Sequence, residues 1–414
     1  MNQKLGLEAT QNRALRSRSL SRAIPMFLTL IFSAAGHAYF FITFPAVARQ
    51  FGFGDFQASL ILGLSALLLT VSEPLWGLIC ERKGRRFVIL IGAMGTGVSI
   101  AAIATVYQAG QLQGGASNPL FMAILVTRLV HAVISGGLIP AAQAVVADLT
   151  SAKARTRGMG LLGASFGIGT ICGGMLAMVT GGENLIFGFY LIALLLLGTS
   201  ALLWSKLPET SSPHKGTQNV PIALKNIAPF LITTLLCLLM YSLIQQVTVL
   251  RLQDDFGLNH DASIKFSGGV MMLSMVAMIF SQLVLVAKLK RPPIYFALGG
   301  GGLAACAMGA AAWASNPQLL LLSMVILGLG LGVLLPGNLA LLSLSVSKAN
   351  QAKAAGLNGF SKGLGMAVGP IIGASLHAVS VQAPYILGAI LFVCVVAMLR
   401  SDRSLRPAPQ RRDL

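Results

Sequence analysis

The chain of 414 residues is cut into about twelve apolar runs, near residues 24–46, 57–79, 87–107, 119–144, 158–180, 184–204, 227–249, 264–286, 294–314, 318–344, 356–378 and 384–400. A hydrocarbon layer about 30 Å thick takes roughly 20 helical residues per crossing, so each run is long enough to span a membrane once. With 55% hydrophobic and only 10% charged residues, and a mean hydropathy of +0.78, little sequence is left over for a soluble core. The expected fold is an all-α membrane protein of twelve transmembrane helices. The first run is full length and lacks a cleavage site of small residues, so it reads as a spanning helix and not as a removable signal.

The net charge of +18 would suggest nucleic acid in a soluble protein, but here the basic residues are sorted by side. Lys4, Arg13, Arg16, Arg18 and Arg22 precede the first run, and Arg82, Lys83, Arg85 and Arg86 join the second to the third. Every later connection on that side repeats the bias, ending with Arg400 to Arg412, whereas Arg49, Arg251 and Lys265 fall on the other. The positive-inside rule then places both termini in the cytoplasm of a multi-pass protein of a bacterial-type inner membrane. The charge needs membrane lipids as partners and no nucleic acid. Cys80, Cys172, Cys237, Cys306 and Cys394 lie in or beside apolar runs without paired spacing, which argues against disulfides and against a bound metal.

The longest polar interruption, residues 206–226, is rich in Pro, Ser, Thr and Gly and divides the chain into an N-terminal six-helix bundle, 1–205, and a C-terminal one, 227–414. A shift of 196 positions lays Gly163, Gly167, Gly169 and Gly173 on Gly359, Gly363, Gly365 and Gly369, and Gly136 and Pro140 on Gly332 and Pro336. A constant offset over two helices points to a pseudo-repeat of two six-helix bundles. Small residues at this spacing let helix backbones approach closely in lipid, and the same surfaces would let the halves rock.

One connection carries a specific pattern. "GLICERKGRR", residues 77–86, resembles the inner-loop motif of the major facilitator superfamily, Gly-x-x-x-Asp-Arg-x-Gly-Arg-Arg, through Gly77, Arg82, Gly84, Arg85 and Arg86, with Glu81 in place of the usual Asp. "FPAVARQFGFGDFQASL", "TRLVHAVISGG" and "ADLTSAKARTRGMGLLGASFGIG" further resemble the drug:proton antiporter branch, which holds tetracycline and multidrug exporters. Arg128 matches that branch's arginine in the fourth helix. Its glycine-rich fifth-helix motif survives partly here, at Gly169 and Gly173, and more fully in the eleventh run at Gly365, Gly369 and Pro370. The resemblance implies the major facilitator fold and alternating access driven by the transmembrane proton gradient, with no cofactor. It also implies that Gly77, Glu81, Arg82, Gly84, Arg85, Arg86 and Asp148 act in gating from the cytoplasmic side.

Charges at membrane depth are costly and usually mark a pathway. Arg128 lies near the middle of the fourth run, roughly 14 Å along at 1.5 Å per residue. His131, three residues on, shares its helix face. Glu73 is a lone carboxylate in the second run and so a candidate proton carrier. Lys362 sits in the eleventh run with Asn358 on its face, and Tyr241 and Gln245 form a polar stripe on the seventh. Proton coupling is therefore expected at Glu73, Arg128 and His131, and substrate binding at Arg128, Lys362, Asn358, Tyr241 and Gln245. Met271, Met275 and Met278 would supply an adaptable apolar wall.

The leading expectation is a monomeric, proton-coupled exporter of a small amphiphilic molecule. Two cations against one carboxylate favour a substrate with a carboxylate, which leaves a multidrug exporter and a dedicated exporter of a polycarboxylate siderophore or metabolite both open. A proton-coupled importer and a non-transporting sensor or scaffold are the rivals. No Ser/His/Asp or metal constellation proposes an enzyme.

Overall fold

The computed structural model describes residues 23–114, 117–149, 155–207, 223–286, 288–289, 291–347 and 350–401. The chain termini and residues 208–222 of the expected linker lie outside the described residues. Within them the long elements are α1 (Ile24–Gln50), α2 (Asp55–Lys83), α3 (Arg85–Gln113), α4 (Asn118–Ser135 and Leu138–Leu149), α5 (Arg155–Thr180) and α6 (Leu185–Lys206). They continue as α7 (Leu224–Asp254), α8 (His260–Phe280 with a π-helical end, Ser281–Val286), α9 (Pro293–Ala312), α10 (Pro317–Leu344), α11 (Gln351–Val379) and α12 (Ala383–Ser401). Among the described residues there is no strand. Eleven of these helices are long and apolar enough to cross a membrane. The remaining one, α11, is diluted by six glycines together with Asn358, Lys362 and His377.

Most helices outrun their apolar runs. The seventh run stops near residue 249, but α7 continues through Arg251 to Asp254 because helical backbone bonding does not require apolar side chains. The fourth run is expected to be one helix and is interrupted at Gly136–Gly137. Pro140 has no N–H to offer the Gly136 carbonyl, and two adjacent glycines hold helix poorly. Pro336, its counterpart under the 196-residue shift, lies inside the unbroken α10, where valine follows Gly332.

The described residues pack as two compact units. The first takes the chain up to Ala38, Leu68–Gly173 and the segment from Asn184 through α6; the second takes Tyr39–Leu67, Gly174–Glu183 and α7 to α12. In the first, α3 packs on α4 and α6; in the second, α9 packs on α10 and α12, the equivalent helices.

The repeat extends to single contacts. A Cβ at Gly169 on α5 would meet the backbone of Ile31 on α1, and a Cβ at Gly365 on α11 would meet the backbone of Leu235 on α7. A Cβ at Gly136 on α4 would meet the Ser72 hydroxyl on α2, and one at Gly332 on α10 the Ser281 hydroxyl on α8. Ser72 Oγ and Ser281 Oγ both donate to the carbonyl three residues before them, at 2.8 and 2.9 Å. Gly160 and Gly356, also 196 apart, both face open space.

Arg251 counts by sequence among flanking charges, yet it is 1% exposed. It closes the end of α9: its guanidinium donates to the carbonyls of Ala311 and, at 3.0 Å, of Ala314, acceptors left over where a helix stops. Its Nε donates to Asp255 at 3.0 Å, and the group lies over the Tyr385 ring, 4.8 Å from the centroid.

Gly365→Val should cost roughly 1–3 kcal/mol, because the side chain has only backbone to push against. Gly356→Ala should leave stability unchanged or raise it slightly. Thermal unfolding of the purified variants in detergent checks both.

Candidate functional site

In the first unit, α4 brings a cation into the packed interior. The buried residues of its first segment are Leu120, Ile124, Arg128, His131, Ala132 and Ser135, one stripe at helical spacing. Arg128 is 2% exposed and His131 4%. His131 lies within electrostatic range of both Arg128 and His37, a half-buried residue of α1. Arg128 lies within range of Tyr107 on α3, which is fully buried. The His131 Nδ1 is buried and has no hydrogen-bond partner. Three helices thus gather one cation, two imidazoles and a phenol, in which the guanidinium suits an anionic group. Glu73 is half-buried on α2, next to Ser72, which packs on Gly136 of α4.

The loop between α2 and α3 divides by role. Gly84 has φ of 94°, a left-handed conformation that glycine adopts without strain, and it sits at the N-cap of α3. Arg85 is buried and pairs with Asp148 on α4, Nε to Oδ2 at 3.2 Å. Arg86 donates to the Trp204 carbonyl and lies over its ring, tying α3 to α6. Glu81 and Arg82 are exposed, and Gly77 has open space around it. The side chains of Arg155 and Arg157 lie outside what is described.

The second unit holds the remaining expected residues. Gln245, 2% exposed, donates from Nε2 to the Tyr241 hydroxyl at 3.1 Å and keeps a buried Oε1 without a partner. Asn358 is occupied: its Oδ1 accepts from Thr234 at 2.7 Å, and Thr234 accepts from Asn338 at 3.0 Å, which fastens α11 and α10 to α7. Lys362 is exposed on α11. Tyr241, Met271, Met275 and Met278 line one small cavity with Met324 and Ser274, whose Oγ is buried without a partner. Gly173 is buried in α5, and Gly369 and Pro370 lie inside α11, with a Cβ at Gly369 meeting α7. Sequence spacing carries no sign of Tyr107 or Met324, because each reaches its neighbours from a helix distant in the chain, whereas Ser274 shares α8 with the methionines. Among the described residues no group of three His, Cys, Asp or Glu side chains is placed to hold a metal ion.

Residues 26–314 and 284–413 match the family model described as Major Facilitator Superfamily. The tetracycline resistance protein of class B from Escherichia coli is 26% identical over 94% of this chain and 97% of its own. The class C protein from Escherichia coli is 30% identical over 49% of this chain and 47% of its own, so the chain spans about half the length of that relative. Among solved structures, the human organic anion transporter MFSD10 (TETRAN) has the same fold, with a TM-score of 0.69 at 20% identity over 93% of this chain and 99% of that one.

Asp148→Asn should leave the Arg85 cation buried without its counter-charge and cost about 3 kcal/mol, whereas Arg82→Gln, at an exposed position, should stay within about 0.5 kcal/mol. The double variant Arg85→Met with Asp148→Leu should recover most of the loss. Melting curves of the three proteins in detergent give the comparison.

Proposed function

The chain belongs to the major facilitator superfamily, and on that premise we propose that it exports a small amphiphilic molecule bearing an anionic group, in exchange for protons. It does so across a cytoplasmic membrane in which both termini face the cytoplasm. The observation that carries this reading is the interior cluster of Arg128, His131 and His37 in the first unit. A guanidinium at membrane depth is costly and usually marks a pathway. The tetracycline resistance named for the relatives and the organic anion transport named for the structural neighbour lend support from outside the chain.

In this account Arg128 is the fixed cation that receives the substrate's anionic group, and His131, one turn along, is a second group that can take a proton. Glu73 carries the proton that is exchanged. Within the second unit, Lys362, Tyr241 and Gln245 offer polar groups to a substrate, while Asn358 holds helices together. Substrate and proton must stabilise different states, since a ligand that binds both states equally shifts nothing. A dedicated exporter of a polycarboxylate such as a siderophore is the second reading, favoured by Lys362 as an additional cation.

Inside-out vesicles or proteoliposomes with an imposed pH gradient, acid inside, test the proposal against a panel of anionic and cationic amphiphiles. Anions should accumulate and cations should not, and a protonophore should abolish the accumulation. Arg128→Gln should raise KM for the anion roughly ten- to a hundredfold. Glu73→Gln should keep substrate exchange and lose gradient-driven accumulation. Full accumulation by Glu73→Gln would remove the proton role, and preference for cations would remove the anionic reading.

A further inference from the structure

At the helix ends opposite the Glu81–Arg86 loop, one guanidinium joins three helices. Arg49 lies in the last turn of α1, Asp55 opens α2 and Asp254 ends α7, all within the second unit. Arg49 Nε and Nη2 donate to the two oxygens of Asp55, each at 2.7 Å. Arg49 Nη1 and Nη2 donate to the two oxygens of Asp254, again at 2.7 Å. Nη1 also reaches Gln253 Oε1 at 3.2 Å, so the five N–H groups of the guanidinium are all engaged. His377, in the last turn of α11, brings in a fourth helix with its Nε2 2.8 Å from Asp254 Oδ2. The His377 Nδ1 is buried without a partner, so the ring joins this network through Nε2.

The placement of Asp254 is informative. A carboxylate at a helix C-terminus opposes the helix dipole and needs compensation. Its neighbour Asp255 finds this within the same turn, from Arg251. Asp254 finds it on α1, a helix from the other sequence half. Around this hub the same ends of the two halves meet in other ways: Gln246 on α7 donates to Ser59 on α2, the Gly182 amide donates to Asp261 on α8 at 3.0 Å, and a Cβ at Gly63 on α2 would stand 2.6 Å from the Ala367 carbonyl on α11. The ionic members are not sealed from water, with side-chain exposures of 25% for Arg49, 24% for Asp55 and 38% for Asp254. Solvent screening keeps such pairs weak enough to break and re-form.

We propose that Arg49, Asp55, Asp254 and His377 form a latch that holds α1 and α2 against α7 and α11 at this end, and that it opens when the transport pathway is exposed there. The inference rests on the transport reading above, because alternating access requires the two halves to part at each end in turn. Asp254 is the hub: the fork to Arg49 sets the closure, and His377 positions the carboxylate.

Ser59 reports on the latch. It lies one turn along α2 from Asp55 and is fully buried. The test uses full-length Ser59→Cys protein in detergent, with Cys80, Cys172, Cys306 and Cys394 replaced and Cys237, fully buried in α7, retained as a folding control. A maleimide is added and labelling is mapped by peptide mass. Arg49→Gln and Asp254→Asn should each speed labelling of the introduced thiol about tenfold, the loss expected when a charge-assisted bond is broken. Arg49→Lys, which cannot fork to both carboxylates, should fall between. His377→Gln, which keeps an N–H donor, should match the parent, and His377→Ala should label faster. Unchanged labelling in Arg49→Gln and Asp254→Asn would overturn the proposal, and so would exposure of Cys237 in either, which would make the hub a determinant of folding. No substrate or gradient enters the measurement, so its failure is distinct from failure of the proposed transport.

Discussion

Close approach of helix backbones where glycine removes the Cβ is the constraint on which the rest of this structure depends. In lipid, apolar side chains gain little by leaving hydrocarbon for one another, so helices associate through tight contact and internal hydrogen bonds. Here Gly169 lies against the backbone of α1, Gly365 against α7, Gly174 and Gly268 against each other, and Gly300 against the backbone of Gly330. These approaches fix the spacing of the helices and with it the position of every polar side chain between them. That equivalent glycines meet equivalent helices in both sequence halves means that one packing solution is used twice. It also supplies smooth surfaces with few interlocking side chains.

Within that frame, four arginines occupy different parts of the structure. Arg251 gives its donors to carbonyls at the end of α9 and lies on aromatic rings, a structural cap. Arg85 is matched by Asp148, and Arg49 by two carboxylates at the opposite helix ends. Arg128 lies within electrostatic range of Tyr107 and His131, the latter also facing His37. Arg85 and Arg49 thus answer to carboxylates on other helices, and Arg251 to backbone carbonyls and to Asp255.

Much of the architecture is legible from sequence, since twelve apolar runs can satisfy their backbone in lipid only as helices. The offset between glycines reveals the repeat, and the Gly-Gly doublet before Pro140 carries the signal for the break in α4, which hydropathy alone overlooks. Gly84 is legible as a motif residue, and its positive φ supplies the reason. Long-range pairing is not legible. Arg49 and Arg251 read as flanking charges, because nothing in the local sequence of Arg49 announces Asp254 and nothing beside Arg251 announces the end of α9. Asn358 reads as a neighbour of Lys362, and its bond to Thr234, on a helix more than 100 residues earlier, has no local signal. The three methionines of α8 read correctly as a shared face and lie on one cavity, but Met324 joins them from α10, beyond the reach of any periodicity.

The account turns on Arg128 as the receptor for an anionic group, and a binding measurement on a matched pair of ligands addresses this most directly. An aromatic carboxylate and its neutral amide, nearly equal in shape, are titrated into purified protein without a gradient. The account predicts that the carboxylate binds about tenfold or more tightly than the amide, and that Arg128→Gln erases the difference while leaving amide affinity in place. Equal affinity for the two ligands in the unaltered protein would contradict it.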